Sequence, residues 1–187
     1  MWRGKPVAMK TIDIKTVRDH LPLDESEVIQ SIEWEVSRIS SVSSLGVVQF
    51  YGIYQQKTDF LFYIIMEFCE KGTLQRRLEN DKVDWNVKIQ WSLEISEGLK
   101  YLHEQGIIHR DLKAENVLIS NTNSAKLADL GVAQVDPLLE KTQAKVVTSG
   151  LQDMRFVAPE VFHKKAPCSL QSDIYALGLI FWQIVTD

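Results

Sequence analysis

The stretch His109-Arg110-Asp111-Leu112-Lys113-Ala114-Glu115-Asn116 decides how the rest of this chain is interpreted. It follows the apolar pair Ile107-Ile108 and leads into a second apolar run, Val117-Leu118-Ile119. Short strand-like segments are therefore predicted on both sides of a highly charged loop. Such a loop on a rigid base is typical of a functional site, because binding and catalytic side chains are concentrated on loops that a scaffold positions.

This order of residues resembles the H-R-D-L-x-x-x-N signature of the protein kinase catalytic loop. The resemblance implies phosphoryl transfer from ATP to a protein hydroxyl, which needs a proton acceptor, magnesium ions and positive charge beside the phosphate. Asp111 is expected to orient the hydroxyl and accept its proton, and Lys113 to stabilise the transferring phosphate. Asn116 offers an uncharged oxygen, which suits magnesium. A lysine at position 113 also goes with serine/threonine specificity in this family. The alternative is a charged surface loop with this order by chance.

Composition and charge fit one compact domain or one bilobal unit. The chain has 187 residues, is 45% apolar and carries a net charge of −4 with both signs dispersed, so no nucleic-acid partner is expected. Cys69 and Cys168 lie far apart and fit a reducing, cytoplasmic setting. The segment Met1–Lys5 does not resemble a secretory signal. The longest apolar run, Ile174–Val185, is too short to span a membrane and is predicted to be a buried helix.

The segment Val7–Ile12 alternates as a strand does, with Ala8 and Lys10 on one face. A lysine on that face either reaches water from an edge strand or meets an anion. The segment resembles the V-A-I-K strand of kinases, whose lysine holds the α- and β-phosphates of ATP. The resemblance also places Ala8 against the adenine.

A helix is predicted after Asp24-Glu25-Ser26, which supply a cap and early negative charge. Its apolar residues follow at helical spacing: Val28, Ile29, Ile32, Val36 and Ile39. Glu35 lies beside this stripe, where a carboxylate needs a cationic partner. The resemblance to kinases gives that partner as Lys10. The alternative is a solvated glutamate on the helix surface.

Two further strands are predicted over Val47–Tyr54 and Phe60–Met66, joined by a polar turn. The sequence after the second strand resembles the kinase gatekeeper and hinge. The resemblance implies that Met66 is the gatekeeper and that the backbone from Glu67 to Cys69 forms hydrogen bonds with adenine. It also assigns Leu118 to the ATP site.

The stretch Trp85–Gln105 fits two periodicities. Trp85, Val87, Ile89, Trp91, Leu93 and Ile95 alternate as in a strand, whereas Trp85, Ile89, Leu93, Ser96 and Leu99 form a helical stripe. A strand of this length is uncommon, and kinases have a long helix here, so a helix is predicted.

Asp129-Leu130-Gly131 resembles the kinase D-F-G motif with leucine in place of phenylalanine. The resemblance makes Asp129 a ligand of the magnesium that bridges the phosphates. By itself this tripeptide is more often a turn, but it gains meaning from its position after a short apolar run that follows Asn116.

Ala158-Pro159-Glu160 matches the kinase A-P-E element, so an activation segment is expected between Asp129 and Ala158. A phosphate on that segment would pair with Arg110 and order it. The candidate sites are Thr142, Thr148 and Ser149, although a polar loop contains hydroxyls by composition alone. Active serine/threonine kinases usually have Gly-Thr where this chain has Gln152-Asp153, which is a departure at the substrate-positioning step.

Ser172-Asp173 opens the final apolar run and resembles the start of the central large-lobe helix of kinases. The resemblance implies that Asp173 braces the backbone of the catalytic loop. The alternative is an ordinary residue at a helix start.

Together these motifs predict an α+β, bilobal protein-kinase-like fold: a small β-sheet lobe with one helix at 1–66, a hinge at 67–72 and a mainly helical lobe at 73–187. Both lobes are expected to be incomplete. No G-x-G-x-x-G occurs, nine residues precede Lys10, and Glu160 lacks its usual arginine, which leaves that glutamate buried and unpaired.

The likeness is strongest to the tyrosine-kinase-like group of serine/threonine kinases, with some likeness to mixed-lineage kinase domain-like proteins. The expected cofactors are ATP and Mg²⁺, and the expected partner is a protein substrate with Ser or Thr. The alternatives are a kinase-like binding module that signals without catalysis and a truncated fragment that does not fold alone. The oligomeric state is left open.

Overall fold

The computed structural model describes residues 1, 4–13, 36–37, 39–56, 61–130, 154–164 and 166–187. Several predictions lie outside these residues. They are most of the helix after Asp24, Glu35 itself, the candidate phosphorylation sites Thr142, Thr148 and Ser149, and the pair Gln152-Asp153.

The chain is α+β, as predicted, and forms two compact units. The small unit contains the described residues up to Ser43 together with Gln49–Phe68. The large unit contains Ser44–Val48, Cys69–Leu130 and the described residues from 154 onward. The lobe boundaries given by the sequence motifs stay a prediction.

The small unit is built on an antiparallel sheet of β1 (Val7–Asp13), β2 (Phe50–Gln56) and β3 (Leu61–Glu67). The strand order is β1-β3-β2, so β3 is central. Alternate residues of β3, Phe62 and Ile64, are buried, as the period of two in a strand requires. Val36 and Ile39 of the predicted helical stripe are also buried.

Val47 and Val48 are not part of β2, contrary to the predicted strand Val47–Tyr54. They belong to the large unit, where the Val48 amide donates to the Leu127 carbonyl at 2.8 Å. Their β-branched, apolar character suits a strand in either place, so composition did not separate the two positions.

The large unit begins with helices α1 (Leu74–Asn80) and α2 (Trp85–Glu104). A short hairpin follows, made of β4 (Val117–Ile119) and β5 (Ala125–Leu127). Helices α3 (Pro159–Lys164) and α4 (Leu170–Thr186) complete the described part. Single 3₁₀ turns lie at Ala114–Asn116 and Met154–Phe156. Side-chain oxygens cap the three longer helices at Thr73, Asp84 and Ser169, which satisfies amides that a helix start leaves unpaired.

Helix α2 confirms the helical interpretation of Trp85–Gln105. Its buried face is formed by Trp91, Ile95, Leu99 and Leu102. Of the helical stripe that the sequence suggested, Leu99 belongs to this buried face, whereas Trp85 is 54% exposed and Leu93 is 58% exposed. The predicted type of element is therefore confirmed, whereas the first half of the stripe faces away from the core.

The apolar run is helical as predicted, but helix α4 is buried along one side rather than all round. Ala176, Ile180 and Ile184 are buried, whereas Trp182 is 64% exposed. Within the described residues, neighbouring elements cover one side of this helix. Glu160 on α3 is likewise partly exposed rather than buried, so the expected cost of an unpaired buried charge does not arise. In the described part of the chain, no helix combines the length and apolar character needed to cross a membrane.

The end of α2 sets the direction of the chain into the charged loop that begins at His109. Gly106 has φ 70°, a left-handed conformation that glycine adopts without cost. Its amide donates to the His103 carbonyl, and the Ile107 amide donates to the Leu102 carbonyl. These two bonds form a Schellman motif, which ends the helix and turns the chain toward His109.

Candidate active site

Three side chains of the charged loop meet at one carboxylate oxygen. Lys113 Nζ lies 3.1 Å from Asp111 Oδ2, and Asn116 Nδ2 donates to the same oxygen at 2.9 Å. The side-chain Nδ2 of Asn116 also donates to the backbone carbonyl of Asp111 at 2.7 Å. The 3₁₀ turn makes this possible because it brings Asn116 back over the start of the loop.

These bonds orient Asn116 as a potential metal ligand. Both hydrogen bonds use its Nδ2, so its Oδ1 is the atom able to face a cation. Asn116 is 7% exposed, which holds the amide in this orientation. An amide oxygen and one carboxylate, with phosphate oxygens to complete the shell, suit magnesium. Among the described residues, no group of three His, Cys, Asp or Glu side chains is arranged to hold a metal ion.

Asp129, the second predicted magnesium ligand, directly follows the β4–β5 hairpin. The Ala128 amide donates to the Asn116 carbonyl at 2.8 Å, so the backbones that carry the two predicted ligands are joined by a hydrogen bond. Asp129 has φ 61°, a left-handed conformation that is uncommon for a residue with a Cβ. Such strain occurs at sites where the surrounding structure fixes the backbone.

Asp173 braces the loop from α4, as the resemblance implied. Its Oδ2 accepts hydrogen bonds from the His109 amide at 2.8 Å and from His103 Nε2 at 2.9 Å, and its Oδ1 accepts one from the Arg110 amide at 3.0 Å. Arg110 has φ 69° and Asp173 is 2% exposed. A buried carboxylate thus holds a strained backbone turn immediately before Asp111.

His109 lies fully buried beneath this turn. Burial lowers the pKa of its imidazole, against the opposing effects of the Asp173, Asp111 and Asp129 carboxylates and of the Ala128 backbone. Although Ala128 lies close enough to influence this pKa, neither ring nitrogen makes a hydrogen bond of good geometry. His109 is therefore a neutral, apolar-like part of the core at pH 7.

The residues assigned to ATP binding in the small unit are on its sheet. Ala8 is directly opposite Met66 in the β1–β3 register, and Lys10 is opposite Ile64. Glu67 is joined to Gln49 twice, through its amide at 2.8 Å and its Oε2 at 3.1 Å. The roles of these residues toward ATP stay a prediction, as does the pairing of Lys10 with Glu35.

The remaining residues assigned to ATP binding, Cys69 and Leu118, are in the large unit. Cys69 is buried, and its carbonyl accepts from the Gly72 amide at 3.3 Å. Leu118 pairs with Lys126 in the hairpin and forms a bridge with Thr73. Their predicted contacts with the nucleotide also stay a prediction.

Helix α2 contributes side chains that sequence reasoning missed. His103 binds Asp173, Trp91 Nε1 donates to the Asn123 carbonyl at 2.8 Å, and Glu94 Oε2 accepts from the Ala125 amide at 2.7 Å. Polar residues on a long helix are usually solvated, so the sequence carried no signal that these face the hairpin and the loop.

A small pocket opens beside Asp111 within the large unit. Its lining includes Arg110 and Asp111 together with the apolar residues Ala158 and Val161.

Comparison with known proteins relates this geometry to one family. The family model of the protein kinase domain matches residues 1–187. The chain is 31% identical over 161 residues to the mitogen-activated protein kinase kinase kinase dlk-1 of Caenorhabditis elegans, a match that covers 86% of this chain and 17% of the relative. It is 30% identical over 190 residues to the serine/threonine/tyrosine-protein kinase HT1 of Arabidopsis thaliana, which covers 100% of this chain and 46% of the relative.

A third relative is the serine/threonine-protein kinase Nek4 of Mus musculus, 31% identical over 186 residues, with 98% of this chain and 22% of the relative covered. The chain therefore spans less than half the length of these curated relatives.

Proposed function

Because the chain belongs to the protein kinase domain family, we propose that it transfers the γ-phosphate of ATP to a serine or threonine hydroxyl of a protein. The names of its relatives support this reaction class, since dlk-1, HT1 and Nek4 are all named as protein kinases. Lys113 supports the choice of serine and threonine as acceptors.

One observation carries the proposal. Among the described residues, both side-chain contacts of the Asp111 carboxylate fall on Oδ2, which leaves Oδ1 able to receive a substrate hydroxyl. The side chain is 26% exposed, so it is accessible from solvent. A carboxylate held at one oxygen and open at the other is suited to orienting a hydroxyl and accepting its proton.

In the reaction we propose, the substrate oxygen forms a bond to the γ-phosphorus, and the bond from that phosphorus to the β–γ bridging oxygen breaks. The hydroxyl proton passes to Asp111, and Lys113 balances negative charge beside it. Asn116 and Asp129 would hold Mg²⁺, which would supply positive charge to neutralise the phosphate oxygens. Lys10 and Glu35 are proposed to hold the α- and β-phosphates.

The remaining ATP contacts belong to the same proposal. Ala8 and Met66, opposite each other in the sheet, are proposed to contact adenine, with the backbone from Glu67 to Cys69 as its hydrogen-bonding edge. Leu118 is proposed to line the same site. The cytoplasmic location suggested by the two separated cysteines is also part of the proposal.

The test is transfer of labelled γ-phosphate from Mg-ATP to a generic protein substrate. Asp111→Asn removes the proton acceptor while keeping its size, and we expect a loss of about two orders of magnitude or more. The matched control is Asp84→Asn, the same substitution at the exposed N-cap of α2, which should leave transfer unchanged. Equal signal from the parent chain and Asp111→Asn would contradict the proposal.

The second candidate function is a kinase-like module that acts by binding partners. Gln152-Asp153 favours it, since active serine/threonine kinases usually have Gly-Thr there. Background signal from the parent chain, combined with a cooperative thermal unfolding transition, would favour this candidate. A chain without such a transition would instead indicate the fragment that does not fold alone.

A further inference from the structure

Two glycines that are far apart in the sequence bring their backbones into direct contact within the large unit. A Cβ added to Gly98, in the middle of α2, would lie 2.5 Å from the Gly46 carbonyl oxygen. A Cβ added to Gly46 would lie 2.9 Å from the Gly98 Cα and 3.0 Å from the Glu94 carbonyl oxygen. Real Cβ atoms do not approach backbone this closely, so only glycine fits at either position.

This contact brings residues 46–48 alongside strand β5. The Leu127 amide donates to the Gly46 carbonyl at 2.8 Å, and the Val48 amide donates to the Leu127 carbonyl at 2.8 Å. On its other side, Leu127 pairs with Val117 of β4. Residues 46–48 therefore lie beside β5 through a single parallel bridge between Val47 and Leu127, and these residues together with the β4–β5 hairpin are called the ribbon.

The two predicted magnesium ligands leave this ribbon at the same end. Asn116 immediately precedes Val117 of β4, and Asp129 lies two residues beyond Leu127 of β5. The bond from the Ala128 amide to the Asn116 carbonyl joins the two strands at that end. Because Asp129 has the strained φ of 61°, its backbone needs support from the structure around it.

Helix α2 also holds the opposite end of the ribbon. Glu94 Oε2 accepts the Ala125 amide at 2.7 Å, and Gln90 Nε2 donates to the other oxygen of this carboxylate at 2.9 Å. Glu94 and Gly98 are one helical turn apart, so both face the ribbon from the same side of α2. Helix α2 thus contacts Gly46 through Gly98 and the start of β5 through Glu94.

We propose, on the premise of the function given above, that Gly98 and Glu94 are positioning residues for the Asn116–Asp129 metal pair. Gly98 admits residues 46–48, which hold Leu127 through two hydrogen bonds, and Glu94 holds the start of β5 at Ala125. Neither residue touches the metal. Both set where the Asp129 carboxylate stands relative to the Asn116 amide oxygen.

A purely structural role predicts lower stability alone, so the test needs a readout of the metal pair itself. Mn²⁺, which substitutes for Mg²⁺, is titrated into the full chain with saturating ATP and followed by the enhancement of water-proton relaxation. Binding of ATP in EDTA is measured in parallel. All measurements are made below the unfolding transition of every variant.

We expect Gly98→Ala and Glu94→Ala to weaken Mn²⁺ binding about tenfold or more, with metal-free ATP binding unchanged. Glu94→Gln keeps an oxygen that accepts the Ala125 amide, so it should restore the affinity of the parent chain. Gly178→Ala in α4 is the matched control: a Cβ there meets nothing within 4 Å, and Mn²⁺ binding should not change.

Parent-like Mn²⁺ affinity in Glu94→Ala, or equal weakening in Glu94→Gln and Glu94→Ala, overturns the proposal. If Gly98→Ala does not fold, the Glu94 pair decides. Asp129→Asn separates this outcome from failure of the proposed function. If Asp129→Asn binds Mn²⁺ as tightly as the parent chain, Asp129 is not a metal ligand, and both the proposed metal site and the positioning role are rejected. If Asp129→Asn binds Mn²⁺ weakly while Glu94→Ala binds it as the parent chain does, the metal site stands and only the positioning role is rejected.

Discussion

Replacing Asp173 with alanine should destabilise the chain severely and abolish the conformation of the catalytic loop. The carboxylate is 2% exposed and accepts three hydrogen bonds, two of them from the backbone amides of His109 and Arg110. Asp173→Ala leaves both amides without an acceptor. An unsatisfied buried donor costs about 1–3 kcal/mol, so the pair costs about 2–6 kcal/mol.

This cost is a large fraction of the free energy of unfolding of a typical domain, about 5–15 kcal/mol. The strained φ of Arg110, 69°, also loses the bond that holds it, and the position of Asp111 is then no longer fixed. We therefore expect the free energy of unfolding and phosphoryl transfer to fall together. Asp173→Asn, which keeps one acceptor oxygen, should fall between the alanine variant and the parent chain in both.

The assay is urea unfolding followed by tryptophan fluorescence, combined with phosphoryl transfer measured in the folded baseline. The matched control is Asp84→Ala, which removes an exposed N-cap carboxylate whose hydrogen bond among the described residues comes from the Asn86 amide at 2.8 Å. Loss of that cap should cost about 1 kcal/mol and leave transfer unaffected. If Asp173→Ala loses no more stability than Asp84→Ala, the reasoning from unsatisfied amides is refuted.

Three other substitutions test the site and its support. Asn116→Asp places a carboxylate against Asp111 Oδ2, and the resulting repulsion should lower phosphoryl transfer about tenfold or more, measured at fixed Mg-ATP. His109→Phe removes an imidazole whose pKa is lowered by burial. In the parent chain, the free energy of unfolding should fall by up to about 1.4 kcal/mol per pH unit as pH falls below about 6.5, because only the unfolded chain takes up a proton on His109. Urea unfolding at several pH values should show a weaker dependence of this free energy on pH in His109→Phe. Trp91→Phe loses the bond to the Asn123 carbonyl and part of a fully buried ring, which should cost about 1–3 kcal/mol by calorimetry.

Each of these expectations has an outcome that contradicts it. Full transfer activity in Asn116→Asp would show that the Asp111 carboxylate tolerates a second negative charge. An unchanged pH slope in His109→Phe would mean that the buried imidazole does not titrate on unfolding. If Trp91→Phe is as stable as the parent chain, the hydrogen bond of the Trp91 indole makes no net contribution to the free energy of unfolding.

The motifs of the catalytic loop were predictable because their residues are adjacent in the sequence. Asp111, Lys113 and Asn116 lie within one turn of chain, so local geometry alone brings them together. The brace by Asp173 was predicted as well, but only through resemblance, since no local pattern joins it to a loop more than sixty residues away. Its third partner, His103, was not predicted at all.

The orientation of α2 was not predictable for a different reason. Apolar residues lie on both sides of this helix, so Trp85, Ile89 and Leu93 compete with Trp91, Ile95 and Leu99 as the core face. Periodicity predicts a helix but cannot tell which of its two apolar stripes is buried, because that depends on which elements of the fold pack against it. The hairpin and residues 46–48 make the choice by packing on the side of Trp91 and Gly98.

The sequence by itself determined the family, the α+β class and the helical state of α2, since these depend on short-range order and on residue type. Only the tertiary structure decided that Val47 and Val48 lie beside β5, that Gly98 must lack a side chain, that Glu94 binds the Ala125 amide and that His103 binds Asp173. Each of these depends on a contact between residues distant in the sequence. Such contacts form only after the chain has folded, so no local pattern records them.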